Sequence, residues 1–328
     1  MSILRPVCAS LSVVLSFALA AFPQNRTVAI TVDDLPYAAA DASPSLLPRD
    51  NQQVRGVNRR LLSAFRAHHV PVTGFVVQKR VEELGKDAGT GILARWTGTG
   101  LDLGNHIYSH PDINNLSVVE IEDEILKGEA IITPLMKQAS KTPQFFRFPM
   151  NHTGDTQDKH DQIAAFLSQR GYRLATCTVD NSDYLFNDAY LQMLARHDEA
   201  SVKKLRSDYL AYTSAEIDFY AALNKQALGY EPPQVMLLHD NRLNADVIEQ
   251  VLKIFEAKGY KFVTLGAAQS DRAYEVPDPF IAKYGKFGPM WGYRWAEERK
   301  VKVDGALEPD PPEWILQYGR EKAAKTQL

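Results

Sequence analysis

Two aspartates and two histidines stand at spacings that could bind a metal ion. Asp33 and Asp34 are adjacent, and His106 and His110 lie four residues apart. On a helical turn, that spacing would place both imidazoles on the same side. Two histidines and one carboxylate form a three-ligand site that suits a borderline metal such as Zn²⁺, with positions left for water and substrate. One of the two aspartates could bind the ion while the other points elsewhere and accepts a proton.

Further polar residues could take part in proton transfer. His239 is a candidate acid because imidazole titrates near neutrality. Arg147 does not lose its proton, so it would hold a neighbouring carboxylate ionised and fixed in direction. Asp180 and Asp183 add two more carboxylates. Each of these residues alone has an ordinary structural explanation as a cap, an ion pair or a rim residue. Their shared position is what indicates a site.

That shared position is the end of a strand. Strands are predicted over residues 27–32, 70–77, 101–104, 145–148, 172–179, 235–238 and 262–265, with helices over 54–66, 92–96, 118–136, 162–170 and 245–257. Strands that alternate with helices indicate parallel βαβ units, in an open doubly wound sheet or a barrel. In a barrel, the carboxyl ends of the strands share one face, where active sites lie. We therefore expect the polar residues to converge there.

Two segments interrupt this alternation. Residues 188–229 are polar and favour helix, which predicts a helical insertion over one rim. Residues 271–328 are rich in Tyr, Trp, Pro and Lys, which predicts an irregular C-terminal extension packing on the barrel, with a mobile end. No Gly-x-Gly-x-x-Gly follows the first strand, and no Walker loop is present. The nucleotide-binding form of the fold therefore loses its main support.

The first 20 residues have the pattern of a secretory signal peptide. Arg5 precedes an apolar run that ends in Ala18-Leu19-Ala20, which fits an A-x-A cleavage site. Cleavage near Ala20 predicts a secreted or periplasmic protein with no stable membrane span. An uncleaved membrane anchor is the alternative, although the run is short for a spanning helix. Cleavage would leave Cys177 as the single cysteine, so the domain must rely on its core rather than on an internal disulfide.

Composition excludes several other classes of protein. The chain has 328 residues, of which 45% are hydrophobic and 23% are charged, and its formal net charge is −3. These are ordinary globular values, which argue against disordered, collagen-like or multi-span membrane proteins. The weak negative charge gives no electrostatic reason to expect nucleic acid as a partner.

Five short motifs resemble those of the polysaccharide deacetylases of the NodB-homology type, carbohydrate esterase family 4. In the family's order they are Thr31-Val32-Asp33-Asp34, Asn105-His106-Ile107-Tyr108-Ser109-His110, Arg147-Phe148-Pro149, Asp180-Asn181-Ser182-Asp183-Tyr184 and Leu237-Leu238-His239-Asp240. Apart from the insertion, they cover about residues 27–266. The resemblance implies an α/β fold, a distorted (β/α)₇-type barrel. That domain would span residues 21–270, with the insertion at about 188–229 and the extension at 271–328.

The resemblance also implies a metal centre. The ion would be Zn²⁺ or sometimes another divalent ion such as Co²⁺, bound by Asp34, His106 and His110. The expected activity is metal-dependent hydrolysis of acetyl groups from an N-acetylated polysaccharide or oligosaccharide. Such an acetylated glycan would be the partner of this secreted protein.

The same resemblance implies the roles of the remaining catalytic residues. Asp33 would be the general base and His239 the general acid. Arg147 would orient Asp33, and Asp183 would support Arg147. A backbone N–H just after Pro149 would help to hold the oxyanion.

The chain departs from the family pattern around the expected groove. Leu35-Pro36 replaces a glycine, Ile107 replaces a serine or threonine, and Tyr184 replaces a tryptophan. These changes leave open an O-acetyl esterase, or an amidase acting on a small non-glycan molecule at the same site. A non-catalytic glycan-binding protein is a further alternative. The intact Asp33 and His239 argue against it, because a binding module needs no proton-transfer pair.

Overall fold

The computed structural model describes residues 26–38, 50–281 and 285–318. The predicted signal peptide, residues 1–20, lies outside the described residues. Within the described ranges, no helix has the length and apolar character needed to cross a membrane. The domain boundaries at residues 20 and 270 stay predictions.

Within these ranges, seven parallel strands form one curled sheet. They are β1 Thr27–Leu35, β2 Val72–Val76, β3 Asp102–Asn105, β4 Phe145–Phe146, β5 Arg173–Leu174, β6 Gln234–His239 and β7 Lys261–Phe262. The strand order is β5-β4-β3-β2-β1-β6, and β7 pairs with the start of β1. Beyond β5, Val179 pairs with Met236 of β6, so the chain brings the two ends of the sheet together. The predicted distorted (β/α)₇-type barrel is confirmed.

β1 lies at the centre of this sheet, between β2 and β6. All of its residues except the first are buried. Its β-branched sequence suits a parallel strand that is covered on both faces. Its outer covering comes from α1 and α8, whose buried apolar faces pack against each other. The carboxyl end of β1 is therefore held rigidly at the middle of the barrel rim.

The strand predicted over residues 172–179 is shorter than expected. Only β5 and the bridge at Val179 are paired with neighbouring strands. Between them, the carbonyls of Ala175 and Thr176 accept hydrogen bonds from the side chain of Arg147, at 3.4 and 3.0 Å. A buried guanidinium thus takes carbonyls that a strand partner would otherwise use, which sequence periodicity does not show.

Helices connect the strands and cover the barrel. They are α1 Asn51–Ala67, α2 Gln78–Glu83, α3 Lys86–Gly98, α4 Val118–Gln138, α5 Gln157–Gln169, α6 Asp183–Ala195, α7 Glu199–Leu228, α8 Arg242–Ala257, α9 Leu265–Ala268 and α10 Trp291–Glu298. Ser117 and Glu120 form a capping box at the start of α4. It satisfies two backbone N–H groups that would otherwise lack partners.

The two irregular regions of the sequence differ in structure. The predicted helical insertion is confirmed as α6 and α7, although α6 begins at Asp183, ahead of the predicted start. The C-terminal extension is largely irregular, as expected, but it contains the short helix α10. Trp291 and Trp295 of α10 pack with Ala227 and Leu228 at the end of α7. This contact fastens the extension to the insertion.

Candidate active site

The two aspartates at the end of β1 face the same cavity. In a regular strand, successive side chains point to opposite faces. Asp34 instead has a φ of 72°, in the left-handed region, and the pairing of β1 with β2 shifts register between Val32 and Leu35. The irregular backbone lets the carboxylates of both Asp33 and Asp34 reach the cavity.

Asp33 is held by Arg147, which follows β4. Arg147 is 1% exposed, and its Nη1 lies 2.7 Å from Asp33 Oδ1 and 2.7 Å from Thr31 Oγ1. The ring of Phe75 stacks on the guanidinium, with its centroid 4.4 Å from Cζ. Burial raises the pKa of Asp33, while the charge of Arg147 opposes that shift. The carboxylate is therefore fixed in direction and made more basic than a solvated aspartate.

His106 and His110 follow β3 in a loop and not on the helical turn that their spacing allowed. Ile107 has a φ of 66° and His110 a φ of 61°, both outside the right-handed helical region. The loop is held by Asn105 Oδ1, which accepts the N–H of Ile107 at 2.8 Å, and by Glu124, which accepts the N–H of Ser109 at 2.8 Å. The two imidazoles still meet, with ring centroids 4.9 Å apart.

Asp34, His106 and His110 have the geometry of a metal site. One ligand atom of each lies within 4.8 Å of the other two. Asp34 Oδ1 is 3.7 Å from His106 Nε2 and 3.4 Å from His110 Nε2. Ligands bound at about 2.1 Å in a tetrahedral site stand about 3.4 Å apart. The three residues therefore fit a divalent cation such as Zn²⁺.

The protonation of the two histidines also suits metal binding. His106 Nδ1 lies 2.8 Å from the carbonyl oxygen of Arg147. A carbonyl can only accept, so Nδ1 carries the proton and Nε2 presents a lone pair towards Asp34. Burial lowers the pKa of both His106 and His110 to about 4. Both imidazoles are thus neutral at physiological pH, which is the form that binds metals.

Asp34 is the anionic partner in this group. Although burial opposes the shift, Arg80 and the nearby histidines lower the pKa of Asp34 below its usual range. Its Oδ1 is buried and accepts no hydrogen bond from the described residues. Arg80 Nη1 lies 2.8 Å from that oxygen without hydrogen-bond geometry. An ionised oxygen lacking a hydrogen-bond donor is consistent with a cation ligand.

Asp183 occupies a different place from the one the family resemblance implied. It was expected to support Arg147, but its Oδ1 is 2.6 Å from His239 Nδ1, and its Oδ2 accepts the N–H of His239 at 2.7 Å. Arg147 instead bonds to Thr31, Asp33 and the two carbonyls described above. The reason is geometric: Asp183 begins α6, which packs beside β6, where His239 stands.

The contact with Asp183 changes the acid–base character of His239. Burial lowers the pKa of His239, but the charge and hydrogen bond of Asp183, together with Asp34 and Asp33, raise it to about 10. Because Asp183 accepts the proton of Nδ1, the protonated ring has its Nε2–H available for donation. His239 can therefore act as an acid at the same rim.

Two features of the site escaped the sequence analysis. Arg80 on α2 contacts Asp34, and its position shortly after β2, at the carboxyl end of a strand, was the signal that could have revealed it. The C-terminal extension supplies Lys286, Phe287 and Met290 to the cavity wall. Those residues lie far from any motif in sequence, so sequence order gave no such signal.

The cavity itself has a volume of about 370 Å³. It is lined by the carboxyl ends of several strands, by the start of α6 and by the C-terminal extension. Asp33, Asp34, His106, His110 and His239 all contribute to its surface. The volume falls within the range of small-molecule sites. The candidate metal ligands and the candidate proton-transfer residues thus share one pocket.

Comparison with known proteins identifies a family that the first half of the chain resembles. Residues 22–175 match the family model described as polysaccharide deacetylase. This stretch contains the first three motifs but ends before Asp183 and His239. A peptidoglycan-N-acetylglucosamine deacetylase of Bacillus cereus is 25% identical over 184 residues, which are 52% of this chain. The chain spans 62% of the length of that relative.

Solved structures share the fold. The alignment with a CE4 family pseudoenzyme from Bacillus anthracis covers 75% of this chain and 66% of the pseudoenzyme chain, with a TM-score of 0.50 and 16% identity. A second solved structure is a peptidoglycan N-acetylglucosamine deacetylase bound to 4-naphthalen-1-yl-N-oxidanyl-benzamide. Its alignment covers 75% of this chain and 89% of the deacetylase chain, with a TM-score of 0.50 and 18% identity. At such identities the likeness establishes the fold alone. The family match confirms the resemblance over the stretch that carries the first three motifs, where this chain is similar to the polysaccharide deacetylases.

Proposed function

We propose that this chain is a metal-dependent hydrolase that removes acetyl groups from an N-acetylated polysaccharide or oligosaccharide. The observation that carries the proposal is the meeting of Asp34, His106 and His110 with Asp33 and His239 in one cavity. The name of the Bacillus cereus relative points to N-acetylglucosamine units as the substrate. The signal-like N-terminus supports action outside the cytoplasm.

The metal would be held by Asp34 Oδ1 and by the Nε2 atoms of His106 and His110. Zn²⁺ fits this ligand set, and Co²⁺ accepts similar ligands. When bound, such an ion polarises an acyl carbonyl and lowers the pKa of a water molecule. Because the two imidazoles are neutral and Asp34 is ionised, the site needs no deprotonation before it binds the cation.

Asp33 would accept the proton from the attacking water. Its Oδ2 lies 3.7 Å from His106 Nε2, next to the proposed metal position, while its Oδ1 is held by Arg147 at 2.7 Å. The raised pKa of Asp33 brings its basicity closer to neutrality, where a general base is most effective. One oxygen is thus anchored and the other faces the reaction.

His239 would return a proton to the leaving group. Its pKa of about 10 keeps the ring protonated at neutral pH. Asp183 fixes the ring through Nδ1 at 2.6 Å. The proton on Nε2 would then pass to the amine nitrogen as the carbon–nitrogen bond breaks. Base and acid are thus provided by the carboxyl ends of β1 and β6, which are adjacent in the sheet.

A second candidate is an O-acetyl esterase or an amidase that acts on a small non-glycan molecule. The observation that favours it is the cavity of about 370 Å³, which α6 and the C-terminal extension wall in. The same residues would serve, with His239 protonating an alkoxide instead of an amine.

Acetate release from a panel of substrates tests the proposal. The panel contains N-acetylglucosamine oligomers, peptidoglycan, acetylated xylan and 4-nitrophenyl acetate, each with added Zn²⁺ or Co²⁺ and with chelator. We expect release from N-acetylated glycans that stops with chelator and returns with metal. Activity on the acetate esters alone would favour the second candidate. Silence across the whole panel would reject both and leave a non-catalytic glycan-binding protein.

A further inference from the structure

The turn that follows Arg147 has an unusual backbone. Residues Pro149–Asn151 form one short helical turn, in which Met150 has a φ of 57° and Asn151 a φ of 54°. Two successive non-glycine residues in the left-handed region are uncommon and require support from their surroundings. Both residues line the cavity beside the candidate metal ligands.

The support for this turn comes from the C-terminal extension. The N–H of Gly288 donates to the carbonyl oxygen of Met150 at 2.7 Å. Nη2 of Arg294 donates to the carbonyl oxygen of Asn151 at 2.5 Å. Both carbonyls of the unusual turn are therefore held by a segment more than 130 residues away in sequence, as the separation of 143 between Asn151 and Arg294 shows.

Gly288 is needed for this approach. A Cβ atom at this position would lie 2.2 Å from the carbonyl oxygen of Asn151 and 2.8 Å from Nη2 of Arg294. The first of these neighbours is backbone, so relief would require the turn or the extension to move. Glycine therefore permits the two backbones to meet closely.

Arg294 is itself rigidly held. It is fully buried, and its Nη1 lies 2.6 Å from Asp278 Oδ2. Its Nε donates to the carbonyl oxygen of Pro289 at 3.0 Å, and Trp291 stacks on the guanidinium at 4.0 Å. An arginine with this many fixed partners is a precise support for the carbonyl of Asn151.

The same segment also forms part of the cavity wall. Lys286, Phe287 and Met290 line the cavity. Phe287 is 43% exposed, and its ring centroid lies 5.5 Å from that of Tyr184, which follows Asp183. Aromatic rings of this kind offer faces on which a sugar ring can pack. The match to the family model ends at residue 175, so this wall is outside the matched stretch.

We infer that residues 286–294 belong to the substrate site: Arg294 and Gly288 position the Met150–Asn151 turn beside the reacting acyl group, and Phe287 bounds the space for the adjoining sugar ring. Arg294 is a positioning residue, since it acts through the turn. The inference rests on the proposed hydrolase function for its substrate, but the support of the turn is a property of the chain itself.

Two variants test this support, each with a matched control. Arg294→Lys keeps the charge but loses the planar set of donors, and Gly288→Ala presses a methyl group onto the turn. Arg299→Lys, at the end of the same helix, and Gly91→Ala, where a Cβ meets nothing within 4 Å, are the controls. The measurements are kcat and KM for N-acetylglucosamine oligomers, Zn²⁺ affinity, and amide hydrogen exchange in residues 148–153.

We expect both test variants to lower kcat about 10- to 100-fold, with KM changed less than threefold, Zn²⁺ affinity unchanged and amide exchange in the turn accelerated. Unfolding of a variant would lower both kcat and Zn²⁺ affinity, so a fall in kcat alone is not explained by a loss of fold. Wild-type kcat in both test variants would overturn the inference and leave the proposed function standing. If the wild type releases no acetate, the proposed function fails. Amide hydrogen exchange in residues 148–153 then tests whether Arg294 and Gly288 support the turn. Faster exchange than in the controls supports the inference, and equal exchange overturns it.

Discussion

Three histidines lie around one cavity, yet two are neutral and one is charged. Burial lowers the pKa of each, to about 4 at His106 and His110, whereas carboxylates raise that of His239 to about 10. At His106 the partner of Nδ1 is the carbonyl of Arg147, and at His239 it is the carboxylate of Asp183. The comparison indicates that the group bonded to Nδ1 helps to decide whether an imidazole in this cavity is neutral or protonated.

We expect the strongest loss from a change to the carboxylate among the candidate metal ligands. Asp34→Asn removes the one anionic ligand between His106 and His110, so we expect Zn²⁺ affinity to fall more than 100-fold and acetate release to reach background. Competition with a chromogenic chelator measures the affinity. The control is Asp102→Asn, at the opposite end of the barrel, which should bind Zn²⁺ with the affinity of the wild type. Tight Zn²⁺ binding by Asp34→Asn would show that the carboxylate of Asp34 is not a ligand of the ion.

The variant Asp33→Asn tests whether Asp33 acts as a general base and not as a metal ligand. The amide oxygen can still accept from Arg147 but cannot take a proton, so we expect kcat to fall about 10²- to 10⁴-fold. Zn²⁺ affinity should stay within a few-fold of the wild type, in contrast to Asp34→Asn. Acetate assays at saturating metal provide the measurement. Undiminished turnover would remove Asp33 from the mechanism.

Asp183→Asn makes His239 resemble the other two histidines. Without the carboxylate, the pKa of His239 should fall from about 10 towards its ordinary value of about 6.5. The alkaline limb of the pH–rate profile then moves to lower pH, because the acid loses its proton earlier. Asp218→Asn, an exposed aspartate ion-paired with Lys258, serves as the control. An unchanged alkaline limb would mean that His239 is not the acid.

The same variant has a consequence for stability. A histidine whose pKa is raised in the folded state stabilises the fold fully below its unfolded pKa, and this contribution is lost as pH rises through the folded pKa. In the wild type, that loss should extend from about pH 6.5 to about pH 10. Denaturant unfolding across this window should show a flatter pH dependence in Asp183→Asn. An equal pH dependence of the unfolding free energy in both proteins would show that Asp183 does not raise the pKa of His239.

A weaker effect is expected from the loop that carries the two candidate metal ligands His106 and His110. Glu124→Ala removes the acceptor for the N–H and hydroxyl of Ser109. We expect Zn²⁺ affinity to fall about 10- to 100-fold, with turnover recovering at saturating metal. Glu122→Ala on the same helix is the matched control. Equal affinities in the two variants would show that Glu124 does not hold the loop.

The sequence predicted the parallel barrel and the convergence of its polar residues, because strand ends in such a fold share one face. It did not predict the loop of His106 and His110, since positive φ angles at Ile107 and His110 have no signal in spacing. It assigned Asp183 to Arg147, because a motif fixes a position along the chain and not a partner in space. Arg294 was missed for a similar reason: its contacts are too distant in sequence.

A coupled titration measures whether the activity depends on the proposed metal ion. Zn²⁺ is added stepwise to chelator-treated protein while bound metal and acetate release from N-acetylglucosamine oligomers are measured together. We expect one Zn²⁺ per chain in the wild type, with acetate release rising in proportion to the bound metal, and neither binding nor release in Asp34→Asn. Acetate release that is independent of bound metal, or equal Zn²⁺ binding in the two proteins, would rule out a catalytic metal ion held by Asp34.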